Sequence, residues 1–284
     1  MQNAAPITPK LNLRVMPWLT DSCTLFLNNI FKWLPSITHS QLTVLEFGGG
    51  NSTLYFLQKK LKVVTIESDD GFIDLLCDMA NRLGYKSIKI KPQIFNKKLL
   101  EDHDLVIIKA ADIDDTDDII NKMDWSIIVN DGIARKHVLQ EVSKSKFNPI
   151  VILDNVEYCA NWGRLDRSSA KPDLIDVYRA MLRNSEWQHY IFEQQEGREG
   201  HGTSDFTGWE SPNRWASAVL WKNSHVLNKF IISNIGLPIV NKEGLEDEDV
   251  LSLNERCPYD WGKGVWLKEP FPEELNLGLE RTFN

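Results

Sequence analysis

Short apolar strands alternate with helices between residues 42 and 154 of this 284-residue chain, and this alternation most constrains its fold. The strands are continuously apolar, which is typical of strands covered on both faces. The pattern therefore predicts an α/β fold with a central, mostly parallel sheet and helices on both faces. We predict strands over 42–47, 63–66, 87–91, 105–109, 125–129 and 149–153, with 87–91 and 105–109 competing for the third place in the sheet.

Two further regions flank this stretch. Before it, apolar residues at helical spacing predict a helix from Thr20 or Asp21 to Leu34, which Pro35 should end. After it, a predicted helix precedes two strands that we expect to form an antiparallel hairpin near the C-terminus; these elements span 173–183, 188–194 and 215–221. We divide the chain into a lead-in with a helix (1–41), a central domain (42–222) and a C-terminal extension (223–284).

Polar residues follow the predicted strands at their carboxyl ends, where open α/β sheets bind ligands. They are Glu46–Ser52, Glu67, Asp131 and the pair Asp154-Asn155. Because the carboxyl ends of parallel strands meet at one edge of a sheet, we expect these side chains to lie close together.

The turn Gly48-Gly49-Gly50 follows the first of these strands and precedes a helix. Glycine permits a tight turn and lets the backbone approach a ligand closely, and the start of a helix offers unpaired N–H groups. Ser52 and Thr53 stand where a dinucleotide fingerprint has its third glycine. An ordinary tight turn and a nicotinamide-dependent dehydrogenase are the alternatives.

The segment 44–53, VLEFGGGNST, resembles the first motif of class I S-adenosylmethionine-dependent methyltransferases, an acidic residue before a glycine-rich turn. The resemblance implies a Rossmann-like fold in which this segment contacts the amino-acid part of the cofactor. It also implies that Glu67 accepts hydrogen bonds from the ribose hydroxyls and that residues after 105–109 contact adenine. The implied cofactor-binding residues are Glu46, Gly48, Gly49, Gly50, Ser52, Glu67, Asp112, Ile113 and Asp131.

Asp131 and the pair Asp154-Asn155 suggest a cation site. Two carboxylates and a carboxamide at one sheet edge suit Mg²⁺ or another divalent cation. The three positions resemble the metal ligands of catechol- and caffeoyl-coenzyme A-type O-methyltransferases, in which the ion activates an acceptor hydroxyl. Those enzymes place a lysine where this chain has Ala134, and Arg135 and Lys136 should point elsewhere on the helix. The sequence therefore favours metal-dependent and metal-free chemistry about equally.

The predicted loop 196–214 joins the two strands of the hairpin. Long loops of this kind often bind ligands, although a mobile surface loop is an equal alternative. Within it, His201 is a candidate general base near neutral pH. Asp131 and His201 are thus the candidate catalytic residues.

Composition narrows the partners. A net charge of −8 argues against a general grip on nucleic acid. Four cysteines without a CxxC motif, no long apolar run and no apolar leader predict a cytoplasmic protein without a membrane span. We expect a methyltransferase acting on an oxygen of a small-molecule or carbohydrate acceptor, with homo-oligomerisation left open. The alternatives are a non-catalytic binding protein that kept the fold and an aminopropyl-type transferase.

Overall fold

A computed structural model describes residues 19, 21–38, 40–110, 116–132, 134–154, 172–184, 186–194, 215–227, 259–260 and 265–266. The helices of these residues are α1 (Asp21–Thr38), α2 (Asn51–Gln58), α3 (Asp70–Arg82), α4 (Leu99–Asp102), α5 (Asp117–Lys122), α6 (Arg135–Lys144) and α7 (Pro172–Arg183). The strands are β1 (Thr43–Phe47), β2 (Lys62–Glu67), β3 (Ser87–Ile90), β4 (Leu105–Lys109), β5 (Ile127–Asn130), β6 (Ile150–Asp154), β7 (Trp187–Gln194), β8 (Trp215–Lys222), β9 (Tyr259–Asp260) and β10 (Val265–Trp266).

Eight strands form one sheet in the order β3-β4-β2-β1-β5-β6-β8-β7. Neighbours from β3 to β6 pair in parallel, whereas β8 pairs antiparallel with both β6 and β7. The predicted mostly parallel sheet and its antiparallel hairpin are therefore confirmed. The short antiparallel ladder of β9 and β10 was not predicted from the sequence.

Both candidates for the third strand belong to the sheet. β4 pairs directly with β2, and β3 forms the outer edge. The difference follows from burial: residues 105–108 are fully buried, whereas every residue of β3 is partly or fully exposed, as expected of an edge strand. The chain that leaves β4 therefore lies beside the end of β2, where the Ala110 N–H donates to the Glu67 carbonyl at 3.1 Å.

Helices cover both faces of the sheet, as predicted. On one face, α1, α2 and α3 pack on the strands, and Phe26 of α1 contacts the rings of Tyr190 and Phe192. On the other face, α4 to α7 pack, and the buried Trp125 stacks on Phe95 with ring centroids 5.8 Å apart. An apolar core on each face of the sheet thus fixes the strands whose ends carry the candidate site residues. No helix of the described residues is long and apolar enough to cross a membrane.

The prediction that Pro35 ends the first helix is wrong, since α1 continues to Thr38 with Pro35 inside it. Proline removes only one backbone donor, and the exposed Pro35 ring does not disturb the buried face of the helix. The last turn gains a bond from the Thr38 hydroxyl, which donates to the Leu34 carbonyl at 3.0 Å. Burial of the apolar face therefore outweighs the proline.

Candidate functional site

The ends of β1, β2 and β5 lie level with one another. Phe47 pairs with Ile66 on one side and with Asn130 on the other. The Gly48 N–H donates to the Ile66 carbonyl at 3.1 Å, and the Asp131 N–H donates to the Phe47 carbonyl at 3.0 Å. The structure thus places the glycine turn, Glu67 and Asp131 side by side at one edge of the sheet.

Gly48 sits where two loops touch through their backbones. Its φ of 91° lies in the left-handed region, which side chains disfavour. A Cβ there would stand 3.0 Å from the Gly132 nitrogen and 3.1 Å from the Asp131 carbonyl oxygen. The fold itself therefore requires glycine at this position.

Gly49 and Gly50 differ in the room around them. A Cβ on Gly49 would stand 2.9 Å from the Thr65 hydroxyl oxygen, so this glycine also fits a tight space. A Cβ on Gly50 would meet, among the described residues, only the ring tip of Phe72 at 4.0 Å. The φ of Gly50 is 170°, an extended value open to any residue. The missing side chain of Gly50 thus leaves room at the start of α2 that the fold does not use.

Glu46 lies beneath the turn with no exposed surface. The Thr53 hydroxyl donates to Glu46 Oε2, and the Gly50 N–H donates to the Thr53 oxygen at 2.9 Å. Among the described residues, Glu46 Oε1 and the Thr65 hydroxyl have no hydrogen-bond partner. Burial raises the pKa of Glu46 to about 7, although neighbouring hydroxyl groups oppose the rise. The carboxyl group therefore holds the turn from below.

Glu67 ends β2 and is partly exposed. Its Oε1 atom accepts hydrogen bonds from the backbone N–H groups of Ser68 at 2.7 Å and Asp69 at 3.1 Å. These two bonds fix the carboxylate through one oxygen. Within the described residues no hydrogen bond engages Oε2, so this atom can accept bonds from a ligand.

Phe72 was not singled out from the sequence. It lies in the first turn of α3, where Asp69 Oδ1 accepts its N–H at 2.7 Å, and 37% of its surface is exposed. The ring stands next to Gly50 and forms an apolar wall beside the turn. The available signal was an aromatic residue in the polar segment that follows Glu67.

The expectation that Arg135 points away from the strand ends is wrong. Arg135 is the first residue of α6, and long helical side chains lean toward the helix N-terminus. Its guanidinium donates to Asp131 Oδ1 at 2.7 Å and to the carbonyl oxygens of Asp131, Gly132 and Asp154 at 3.1, 2.9 and 3.0 Å. Arg135 therefore links the end of β6 to the loop after β5.

The carboxyl groups of Asp131 and Asp154 share this edge. Burial and the charge of Asp154 raise the pKa of Asp131 well above its ordinary value, and Arg135 opposes the rise. Asp154 is buried, and its Oδ1 accepts a hydrogen bond from the Ser217 hydroxyl on β8 at 2.7 Å. Among the described residues, the guanidinium of Arg135 thus lies beside the carboxylate of Asp131 and reaches the backbone of Asp154.

Four predicted site residues lie outside the described residues: Asp112, Ile113, Asn155 and His201. The adenine contact, the third metal ligand and the loop base therefore stay predictions. Among the residues that the structure does describe, no group of three or more His, Cys, Asp or Glu side chains is placed to hold a metal ion.

Comparison with known proteins rests on structure alone, since no family model and no curated protein matches the sequence. The chain is similar to the cofactor-bound protein Rv0187 from MTB, with a TM-score of 0.50 at 15% identity over 75% of this chain and 85% of that one. It is also similar to the O-methyltransferase from Bacillus cereus in complex with SAH, with a TM-score of 0.47 at 16% identity over 72% and 82% of the two chains. The similarity to Rv0187 concerns the fold alone, and with the strand order it confirms the predicted α/β fold with a mostly parallel sheet and a C-terminal antiparallel hairpin.

Proposed function

We propose that this protein is an S-adenosylmethionine-dependent methyltransferase that methylates an oxygen of a small-molecule or carbohydrate acceptor. The arrangement at the ends of β1 and β2 supports the proposal most. There, Gly50 leaves room that the fold does not need, and Glu67 presents a carboxylate already fixed by two backbone N–H groups. A flexible amino-acid chain and a ribose diol are the kinds of group that these features suit.

The turn and its neighbours divide the binding work. Gly50 would let the backbone and the first N–H groups of α2 approach the methionine part of the cofactor, while Gly48 makes the turn itself possible. Glu67 would accept hydrogen bonds from the ribose hydroxyls, and the ring of Phe72 would line the site beside Gly50. Glu46 is fully buried, so we assign it the positioning of the turn through Thr53.

Methyl transfer to an oxygen requires that the protein position the acceptor against the methyl group and remove the proton of its hydroxyl. When bound, S-adenosylmethionine would supply an electrophilic methyl group for attack by the acceptor oxygen in line with the bond to sulfur. Asp131 is the first candidate for the general base that takes the proton of the acceptor hydroxyl, because its pKa is raised toward neutral pH. His201 is the second candidate for this proton.

Isothermal titration with S-adenosylhomocysteine tests cofactor binding. We expect one site per chain in the wild type and at least about tenfold weaker binding in Glu67→Gln, since a charged acceptor contributes about 1.5–3 kcal/mol. The matched control is Glu101→Gln, which removes an exposed carboxylate far along the chain from the turn. Absence of heat in the wild type would contradict the proposal.

A panel of hydroxylated acceptors then tests turnover. We expect S-adenosylhomocysteine and an O-methylated product in equal amounts. Cofactor binding without turnover on any acceptor would instead indicate a binding protein that kept the fold. Release of methylthioadenosine from decarboxylated S-adenosylmethionine would indicate aminopropyl transfer.

A further inference from the structure

The guanidinium of Arg135 lies against the carboxylate of Asp131, one of the predicted metal ligands, and against the backbone of Asp154, another of them. All three nitrogens of its guanidinium donate hydrogen bonds, to one carboxylate oxygen and three carbonyl oxygens of residues 131, 132 and 154. Its side chain is 12% exposed, and that of Asp131 is 21% exposed. The contact is therefore an inward-facing clamp and not a surface ion pair.

The described residues do not fit a divalent cation at this edge. Two of the three predicted ligands are Asp131 and Asp154, and one carboxylate oxygen of each already accepts a bond, from Arg135 and Ser217 respectively. A guanidinium stays protonated at any physiological pH, so an ion bound to Asp131 would face a fixed positive charge at short range. An ion on the other oxygen of Asp131 would either face the repulsion of the guanidinium or displace it from its four hydrogen bonds.

We propose that Arg135 permanently supplies the positive charge that a metal ion supplies in metal-dependent O-methyltransferases, and that this site works without a divalent cation. Arg135 is a positioning residue that acts through Asp131. It compensates the negative charge at the edge and ties β6 to the loop after β5. The inference rests on the proposed function for its catalytic part, while the exclusion of metal can be measured without turnover.

The direct test is Mn²⁺ binding to the full chain, followed by electron paramagnetic resonance. We expect no bound Mn²⁺ in the wild type up to about 1 mM, a concentration at which even weak protein sites fill. We expect Arg135→Gln to acquire Mn²⁺ binding, because it exposes two carboxylates without their cation. The double variant Asp131→Asn, Arg135→Gln should lose that binding again. Stoichiometric Mn²⁺ binding by the wild type that Asp131→Asn abolishes would overturn the proposal.

Turnover gives an independent readout. We expect chelator to leave the wild-type rate unchanged, and Arg135→Gln to lower kcat at least tenfold while the affinity for S-adenosylhomocysteine stays within twofold. Arg135→Lys should not restore the rate, because an ammonium cannot reproduce the planar fork of donors. Loss of the wild-type rate on addition of chelator, restored by Mg²⁺, would overturn the proposal.

Two controls separate the possible failures. Lys136→Gln removes the exposed neighbouring cation of the same helix and should behave as wild type in both assays. Failure of S-adenosylhomocysteine to bind the wild type would contradict the proposed function. The Mn²⁺ result would then still decide whether the site excludes a divalent cation. If Arg135→Gln does not fold, the Mn²⁺ and chelator results on the wild type still decide it.

Discussion

At the scale of single residues, Gly48 and Gly50 of the turn are glycine for different reasons. Gly48 combines a positive φ with backbone atoms 3.0–3.1 Å from any added Cβ. We therefore expect Gly48→Ala to lower the free energy of unfolding by about 1–3 kcal/mol from backbone strain, with a further loss from displacing the loop after β5. Urea denaturation measures this change, and a loss below about 0.5 kcal/mol would contradict it.

Gly50→Ala is the matched substitution two residues on. Alanine fits the extended backbone and the open space but is a poorer N-cap residue than glycine, so we expect a loss of about 0.5–1 kcal/mol, less than that of Gly48→Ala. The added methyl group would instead occupy the space assigned to the ligand and weaken binding of S-adenosylhomocysteine at least about tenfold. Unchanged affinity in the folded variant would remove the turn from the proposed binding site.

Glu46 makes a prediction about pH. Its pKa rises on folding from 4.5 to about 7, so the folded state favours the protonated carboxyl. Protonation of Glu46 therefore contributes to the free energy of unfolding fully below pH about 4.5. This contribution, at most about 3 kcal/mol, is lost as pH rises through about 7. Glu46→Gln keeps the group neutral, and the amide oxygen can still accept the hydrogen bond from the Thr53 hydroxyl. We therefore expect the variant to gain stability over the wild type steadily between those pH values.

Chemical denaturation at a series of pH values measures this difference. Comparison of the two proteins at each pH cancels the contributions of other titrating groups. Glu101→Gln serves as control because it removes one carboxylate at an exposed position. A stability difference between Glu46→Gln and wild type that does not vary with pH would contradict the assignment.

The sequence predicted which residues lie at this edge of the sheet, but it did not predict the contacts that their side chains make. Gly48, Glu67 and Asp131 could be placed because strand ends follow from an apolar run and the turn after it. The direction of Arg135 could not, because residue spacing on a helix does not show how far a long side chain reaches back past the first turn. Phe72 was missed for a similar reason, since its exposure depends on how α3 packs.

At the scale of elements, burial decided where sequence rules left a choice. Two apolar runs competed for the third strand, and the fully buried 105–108 took the place beside β2 while the amphipathic 87–90 formed the edge. The N-terminal helix continues through its exposed proline, while its apolar face up to Leu34 is buried against the sheet. Local signals identify elements, and tertiary packing sets their order and ends.

Pro35→Ala tests this account of α1. The exposed ring makes no buried packing, and alanine would return a backbone donor to the helix. Helix-interior proline costs about 3 kcal/mol, offset by about 0.4–1 kcal/mol from the stiffer unfolded chain and by the position near the helix end. We expect a net gain of about 1 kcal/mol in urea denaturation. Pro35→Gly, which loosens the unfolded chain, should gain less, and a loss in Pro35→Ala would show that α1 depends on the proline ring.

At the scale of the whole molecule, the two apolar clusters lie on opposite faces of one sheet, and the candidate site lies at the edge between them. A ligand that bridges the loops after β1, β2 and β5 binds only when all three are in place. Because the unfolded chain lacks the site, such a ligand stabilises the whole domain by mass action. Thermal unfolding therefore reports binding without knowledge of the acceptor.

S-adenosylhomocysteine at one hundred times its dissociation constant should add about 2.7 kcal/mol, a rise in Tm of about 5 °C for a chain of this size. Tenfold weaker binding in Glu67→Gln would reduce the added stability to about 1.4 kcal/mol at the same ligand concentration, which halves the rise. NADH at the same concentration is the control, since a dinucleotide site would respond to it. A larger rise with NADH than with S-adenosylhomocysteine would assign the edge to a nicotinamide cofactor, because the turn would then prefer a pyrophosphate to a methionine chain.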